Sequence, residues 1–300
     1  MNHFIDKLFY NKKLTLFLLL SPLLIWLGVV YLGSLLNLLL QSFFKLDSFS
    51  GKILYEFNLE NYTALFKETN LDIFIRTLIM SSVVTIFSIL IGFPVAYYMS
   101  FIASKNLKPF YYLGVMLPLW SSYMVKVYSW KLIMAKEGIL IWFLERIGLA
   151  PTLDWILSAP IIGGSSLSFS YIGMFLVFLY IWLPFMILPI YSSLERIPKN
   201  LIDASLDLGA TPIVTLFKII LPLALPGIIA GSIFTFSLTM GDYIIPGIIG
   251  NSRFFIGMAV YTLQGTTGNI PLAAAFSIVP IVVMMIYLKI AKRLGAFDAI

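Results

Sequence analysis

The chain has 300 residues, of which 60% are hydrophobic and 11% charged, with a formal charge of +6 and a mean hydropathy of +0.97. A soluble domain carries about 25% charged residues, so this composition excludes one and describes an integral membrane protein. With no cysteine and a single histidine, His3, it also excludes disulfide frameworks, thiolate metal sites and histidine-based catalytic clusters within the chain.

A bilayer span needs about 20 mostly apolar residues. The first in chain order is 14–40, uncharged throughout and preceded by Lys7, Lys12 and Lys13. It is longer than the roughly 7–15 apolar residues of a signal peptide and no A-x-A site follows, so it reads as a retained helix. A polar loop, 41–72, leads to a second span at 74–100. A loop carrying Lys105 and Lys108 then leads to a third at 110–130. The stretch 131–170 is interrupted by Gly148, Pro151, Pro160 and the glycine-serine run 163–166, and is not read as a span. The fourth, fifth and sixth spans are 171–190, 221–243 and 271–288, separated by a charged loop, 191–218, and a glycine-rich segment, 244–270. These runs are apolar on every face, which predicts helices rather than barrel strands of alternating character. Pro22, Pro94, Pro118, Pro184 and Pro280 are expected to kink the helices they interrupt.

The predicted fold is therefore an all-α integral membrane protein with six transmembrane helices. It comprises a tail, 1–13, a first helix, 14–40, an external loop, 41–72, a core, 73–290, and a second tail, 291–300. Six spans place both tails on one side. Eleven Lys and Arg fall on that side against seven on the other, so both termini are expected in the cytoplasm. The basic residues flank apolar runs, and their expected work is orienting spans rather than binding nucleic acid.

The loop 193–222 carries the densest local signals. Pro198 suits the first turn of a helix that runs to about Leu208, and Gly209 suits the left-handed position that ends it. Thr211-Pro212 then supplies an N-cap oxygen and a proline at the first position of a second helix, predicted to be short and to run into Leu221-Pro222. On the first helix Asp203 and Asp207 share one face, and Leu201, Ala204 and Leu208 form an opposing apolar stripe. Asp207 near the helix C-terminus is disfavoured by the macrodipole by about 0.3–1 kcal/mol. A basic partner surface would accommodate it; a solvated helix face is the bland alternative.

This segment resembles the EAA loop of ABC-type importer permeases. Asp203-Ala204-Ser205 stands where Glu-Ala-Ala would, Gly209 with Ala210 matches the glycine that follows, and Ile219-Ile220-Leu221-Pro222 matches the ending. Leu183-Pro184-Phe185, Pro189 and Pro226-Gly227 agree in the flanks. Arg76-Thr77-Leu78 occupies the place of the Asn-Thr-Leu that often opens the permease core, and further likeness to the spermidine/putrescine branch lies in 117–123 with 126–130, in Gly241 to Pro246, and in 293–298. The departures are Asp for Glu, Ser for the second Ala, and Lys126 where that branch has Arg. The resemblance implies a type I importer permease with the loop seated on a separate cytoplasmic ATP-binding subunit present in two copies. It also implies a second, different permease chain and an external substrate-binding protein. ATP and Mg would sit on the partner, because the only Gly-Lys pair here, Gly51-Lys52, lacks the phosphate-cradling loop.

Ionisable groups at membrane depth are functional candidates by default. Asp242, beside Tyr243, suits an ammonium group if the substrate is a polyamine; the alternative is an interfacial acid held by water or by Lys126. Lys126 is expected to form an ion pair or to snorkel, and Arg76 to anchor the start of the second span. Trp120, Tyr123 and Tyr128 either line a cation pathway or form an aromatic belt. The competing functions are an ABC permease for another small organic substrate and an ion-coupled secondary transporter. The latter would show an inverted repeat and acids at mid-depth, and neither is evident here.

Overall fold

The computed structural model describes residues 12–47, 49–251 and 253–293. Most of both predicted tails, including His3, Lys7 and positions 294–298, lies outside those residues. Five helices among the described residues are long and apolar enough to cross a bilayer. They are α1 (Lys13–Gln41), α3 (Glu68–Ile102), α8 (Tyr171–Glu195), α10 (Pro212–Gly241) and α13 (Ile270–Arg293). The loop between α1 and α3 holds a two-residue hairpin, β1 (Lys45–Leu46) antiparallel to β2 (Ile53–Leu54), and α2 (Glu60–Leu65). Asp47 closes the hairpin turn by accepting from the Ser50 hydroxyl at 2.6 Å and the Phe49 N–H at 3.1 Å. These donors hold its carboxyl below the usual carboxylate range.

The third predicted span is not one helix. It divides into α4 (Lys108–Trp120) and α5 (Tyr123–Ile133), with Ser121 and Ser122 extended between them. Their 13 and 11 residues rise about 20 and 16 Å, so neither alone crosses a hydrocarbon core of about 30 Å. The segment that did not read as a span forms α6 (Ile139–Arg146), α7 (Ala150–Leu157) and a 3₁₀ turn at Leu167–Phe169.

The fifth predicted span is present and reaches further back than its predicted start. The second helix of the 193–222 loop does not stop at Pro222; it continues as α10 to Gly241 without interruption. A π-helical stretch at Leu216–Ile220 precedes Pro222. Its wider i→i+5 hydrogen bonding accommodates a residue that has no N–H to give. Similar stretches begin four residues after Pro22 and Pro94, at Trp26 and Tyr98.

The centre of the bundle is α8, packed chiefly against α10 and α3. Over half of its most apolar window is buried inside the chain, whereas none of the corresponding window of α1 is. Ser170 starts α8 by accepting the Gly173 N–H at 3.0 Å. Lipid tails are as apolar as leucine, so burial here is stabilised by close packing rather than by escape from water. Thr77, Ser81 and Thr85 on α3 donate their hydroxyls to the carbonyls four residues earlier at 2.7–2.8 Å. The Thr77 Oγ1 also accepts the Ile256 N–H at 3.1 Å, tying α3 to α12 (Ile256–Gly265).

Candidate functional site

The predicted residues fall at two places, one at each end of α10. At its start stands α9 (Lys199–Asp207) with its turn. Gly209 has φ of +81°, the left-handed conformation that ends α9, and the Thr211 Oγ1 accepts the Val214 N–H at 3.4 Å to open α10. Ser205 is buried, and its hydroxyl bonds the Thr215 hydroxyl at 2.9 Å. The Ala210 N–H closes the turn on the Ser205 carbonyl at 3.1 Å. Serine in place of the family's alanine is thus matched by a threonine ten residues on, a compensation that spacing alone did not reveal.

Asp203, Ala204, Asp207 and Gly209 are exposed and Ala210 is half-buried. The Leu201–Ala204–Leu208 stripe also faces outward, with Leu208 at the tip 90% exposed. Instead, Ser205 and the half-buried Ile202 turn inward, Ile202 against a cluster containing Ile197, Leu194 and Ile220. The turn therefore ends in an exposed leucine, while the helix itself is held to the bundle through Ser205 and Ile202.

Below this turn, Glu195 ends α8 and accepts from Lys108 Nζ at 2.5 Å and from the Ser100 hydroxyl at 3.4 Å. Lys108 also donates to the Ser100 carbonyl at 2.7 Å. This cluster joins the ends of α3, α4 and α8, and no motif pointed to Glu195. Both ionic side chains are partly exposed, so the tie is weak. Glu195→Gln is expected to lower the uptake rate by no more than about fivefold, measured in proteoliposomes beside the wild type.

At the other end, α10 stops at Gly241 and Asp242 turns the chain into α11 (Ile244–Ile248). The Asp242 Oδ1 accepts the N–H groups of Ile244 at 2.7 Å and Ile245 at 2.9 Å, while its Oδ2 accepts the Tyr123 hydroxyl. Asp242 is 9% exposed. A cavity of about 330 Å³ is lined by Tyr123, Trp182, Asp242 and Tyr243 among others. Tyr123 stacks on Trp182 at 5.7 Å, and Tyr243 on Tyr261 at 4.8 Å.

The structure thus brings Tyr123, Asp242 and Tyr243 together. Trp120, Lys126 and Tyr128 do not line this cavity. Lys126 pairs with no acid among the described residues; its Nζ donates to the Pro118 carbonyl at 2.8 Å. The break at Ser121 leaves that carbonyl without its helical N–H, and a cation suits a helix C-terminus. Trp182, which lines this cavity, and Tyr261, which stacks on Tyr243 outside its lining, were missed, because an aromatic among apolar neighbours carries no signal of what it packs against.

Residues 88–295 match the family described as binding-protein-dependent transport system inner membrane component. The chain is 53% identical over 291 residues to the inner membrane ABC transporter permease protein YdcU of Escherichia coli K12, covering 97% of this chain and 93% of that one. It is 32% identical to the spermidine/putrescine transport system permease protein PotB of Haemophilus influenzae, covering 96% of each. Its fold also resembles a chain of a bacterial alginate ABC transporter crystallised with an alginate pentasaccharide-bound periplasmic protein. That likeness has a TM-score of 0.73 at 16% identity and covers 95% of each chain.

Bundle, turn and relatives together define a multi-pass permease subunit of an ABC importer, a transport component with ATP hydrolysis on a separate subunit. The chain belongs to the binding-protein-dependent transport system inner membrane component family.

Proposed function

We propose that this permease imports a small organic cation of the polyamine class, with the α9 turn seated on an ATP-binding subunit. The observation that carries the coupling role is the exposed apolar tip at Leu208, flanked by Asp203, Asp207, Gly209 and Ala210 and fastened to α10 through Ser205 and Thr215. The turn and the aromatic cavity lie at opposite ends of one helix of 30 residues, about 45 Å long at 1.5 Å per residue. Closure of two ATP-binding subunits would tilt α10 as a lever and reshape the cavity at its far end.

In this proposal α4 and α5 together make the sixth crossing and both termini face the ATP-binding subunits, as the Lys and Arg distribution supports. A second, different permease chain completes the pathway and an external binding protein delivers the substrate. ATP and Mg belong to the partner, and this chain holds no cofactor of its own.

The PotB relatives support the polyamine class. The cavity fits it, with Tyr243 offering an exposed ring face and Asp242 a carboxylate for an ammonium group. Trp120, Lys126 and Tyr128 do not line this cavity, and in this proposal their place is along the pathway that leads to it. A second substrate class, carrying hydrogen-bond acceptors, is favoured by Trp182, whose buried Nε1 has no partner among the described residues. Uptake of radiolabelled putrescine and spermidine by the reconstituted importer, against amino acids and sugars, separates the two.

Asp242→Asn keeps an acceptor for Ile244 and Ile245 and can still bond Tyr123, so it removes the charge and little else. The apparent KM for a cationic substrate is expected to rise about tenfold with protein yield unchanged. An unaltered KM would assign Asp242 to holding the α10–α11 corner alone.

A further inference from the structure

A second cleft lies on the outer face of the bundle, away from both places described above. Its volume is about 430 Å³, and it runs between α3 and α8. Asp72, Arg76, Ile79, Val83 and Phe87 line it from α3 at helical spacing, and Tyr171, Ile172 and Phe175 from α8. Its walls are apolar, and Ile75, Ile79 and Phe87 are each 45% exposed or more. The Phe87 and Phe175 rings meet edge to face at 5.2 Å and close its deep end.

The mouth is charged. Arg76 is held by Asp72 and by the Phe254 carbonyl, to which its Nη1 donates at 2.8 Å. Arg253 also lines the mouth, is exposed, and makes no ion pair among the described residues. Two guanidinium groups therefore face one carboxylate. Tyr171 lines the same cleft at 7% exposure, its ring against Phe255, and its hydroxyl has no partner among the described residues. A buried hydroxyl without a partner costs about 1–3 kcal/mol, a cost that an oxygen-rich ligand would remove.

The dimensions select the occupant. From Arg76 to Phe87 the helix rises about 16 Å, close to half of a hydrocarbon core of about 30 Å. An apolar slot one leaflet deep with a net positive mouth matches one acyl chain beneath an anionic headgroup. We propose that the α3–α8 cleft binds an anionic phospholipid, with its phosphodiester on Arg253 and Arg76 and an acyl chain along Ile79 to Phe87. This site requires only that the chain span a bilayer, so it stands or falls apart from the substrate proposed above.

The test uses the full chain purified from membranes and exchanged into mixed micelles of phosphatidylglycerol or of phosphatidylcholine, with bound lipid counted by native mass spectrometry. Wild-type protein is expected to retain phosphatidylglycerol over phosphatidylcholine. Arg253→Gln, at an exposed side chain, is expected to retain about tenfold less phosphatidylglycerol, the loss of one charge-assisted hydrogen bond. Ile79→Trp, which fills the slot without touching the charges, is expected to release both lipids. Equal retention of the two lipids, or retention unchanged in both variants, overturns the site. The chain has no cysteine, so Ile79→Cys also gives a single cross-linking position in native membranes. High-yield cross-linking there to another permease chain would show a protein helix in the slot and overturn the lipid assignment too.

Discussion

Gly209→Val is expected to abolish uptake while the assembled importer continues to hydrolyse ATP. The cause is backbone conformation alone. Gly209 sits at φ +81°, and a Cβ built there meets no described atom within 4 Å, so there is room for a side chain but not the dihedral for one. A β-branched residue held in the left-handed region costs about 1–3 kcal/mol, and the turn can relieve that only by rotating. Few contacts resist the rotation: α9 is nine residues long and is fastened by the Ser205–Thr215 hydrogen bond and Ile202. Leu208, Asp203 and Asp207 would move with it, out of register with the ATP-binding subunit on which the turn is proposed to sit. Gly209→Asn supplies the control, since asparagine tolerates positive φ and is expected to restore most transport. The two rates are measured side by side in proteoliposomes containing the complete importer. Normal uptake by the valine variant would remove the turn from the coupling mechanism.

How much of this was legible in the sequence depended on the range of the interaction. The α9 turn was readable because its determinants are local: a proline, a left-handed glycine and a Thr-Pro start act within one or two turns of helix. The apolar runs likewise announced α1, α3, α8 and α13. Which face of α8 meets α10 was not readable, because a run apolar on every side has no pattern to break. The interruption of the third span was hidden for a similar reason. Ser121 and Ser122 extend between apolar neighbours, and only Pro118 hinted at strain. The partners of the membrane charges lay furthest out of reach. Tyr123 meets Asp242 across 119 residues of chain, and Lys126 turns to the Pro118 carbonyl, which it shares with the Ser121 hydroxyl where the helix breaks. The continuous run of α10 through Pro222 was missed because a proline reads as a stop unless the preceding turn is known to widen.

Gly227→Leu is expected to have the larger effect on the folded protein, because it acts where α8 and α10 leave no room for a side chain. A Cβ at Gly227 would lie 2.5 Å from the Pro189 carbonyl oxygen and 2.6 Å from the Ser193 Cβ. These atoms belong to the backbone and the first side-chain carbon of α8, so neither can swing aside. Even Gly227→Ala must separate the helices, and overpacking of this kind typically costs about 1–3 kcal/mol; leucine adds three more carbons against the same wall. The bilayer supplies no hydrophobic force to press the helices back together, since lipid solvates the parted apolar faces as well as protein does. The alanine variant is therefore expected to unfold at a lower temperature in detergent, and the leucine variant to give little monodisperse protein by size-exclusion chromatography. The contact also lies beneath the α9 turn: Pro189, Ser193, Leu201 and Gly227 line one cavity of about 430 Å³ there. A change too small to unfold the bundle should still loosen that joint, so the alanine variant is expected to transport fewer molecules per ATP hydrolysed. Wild-type stability and stoichiometry in Gly227→Ala would show that the α8–α10 crossing is compliant enough to admit a Cβ that would otherwise lie 2.5 Å from the Pro189 carbonyl oxygen.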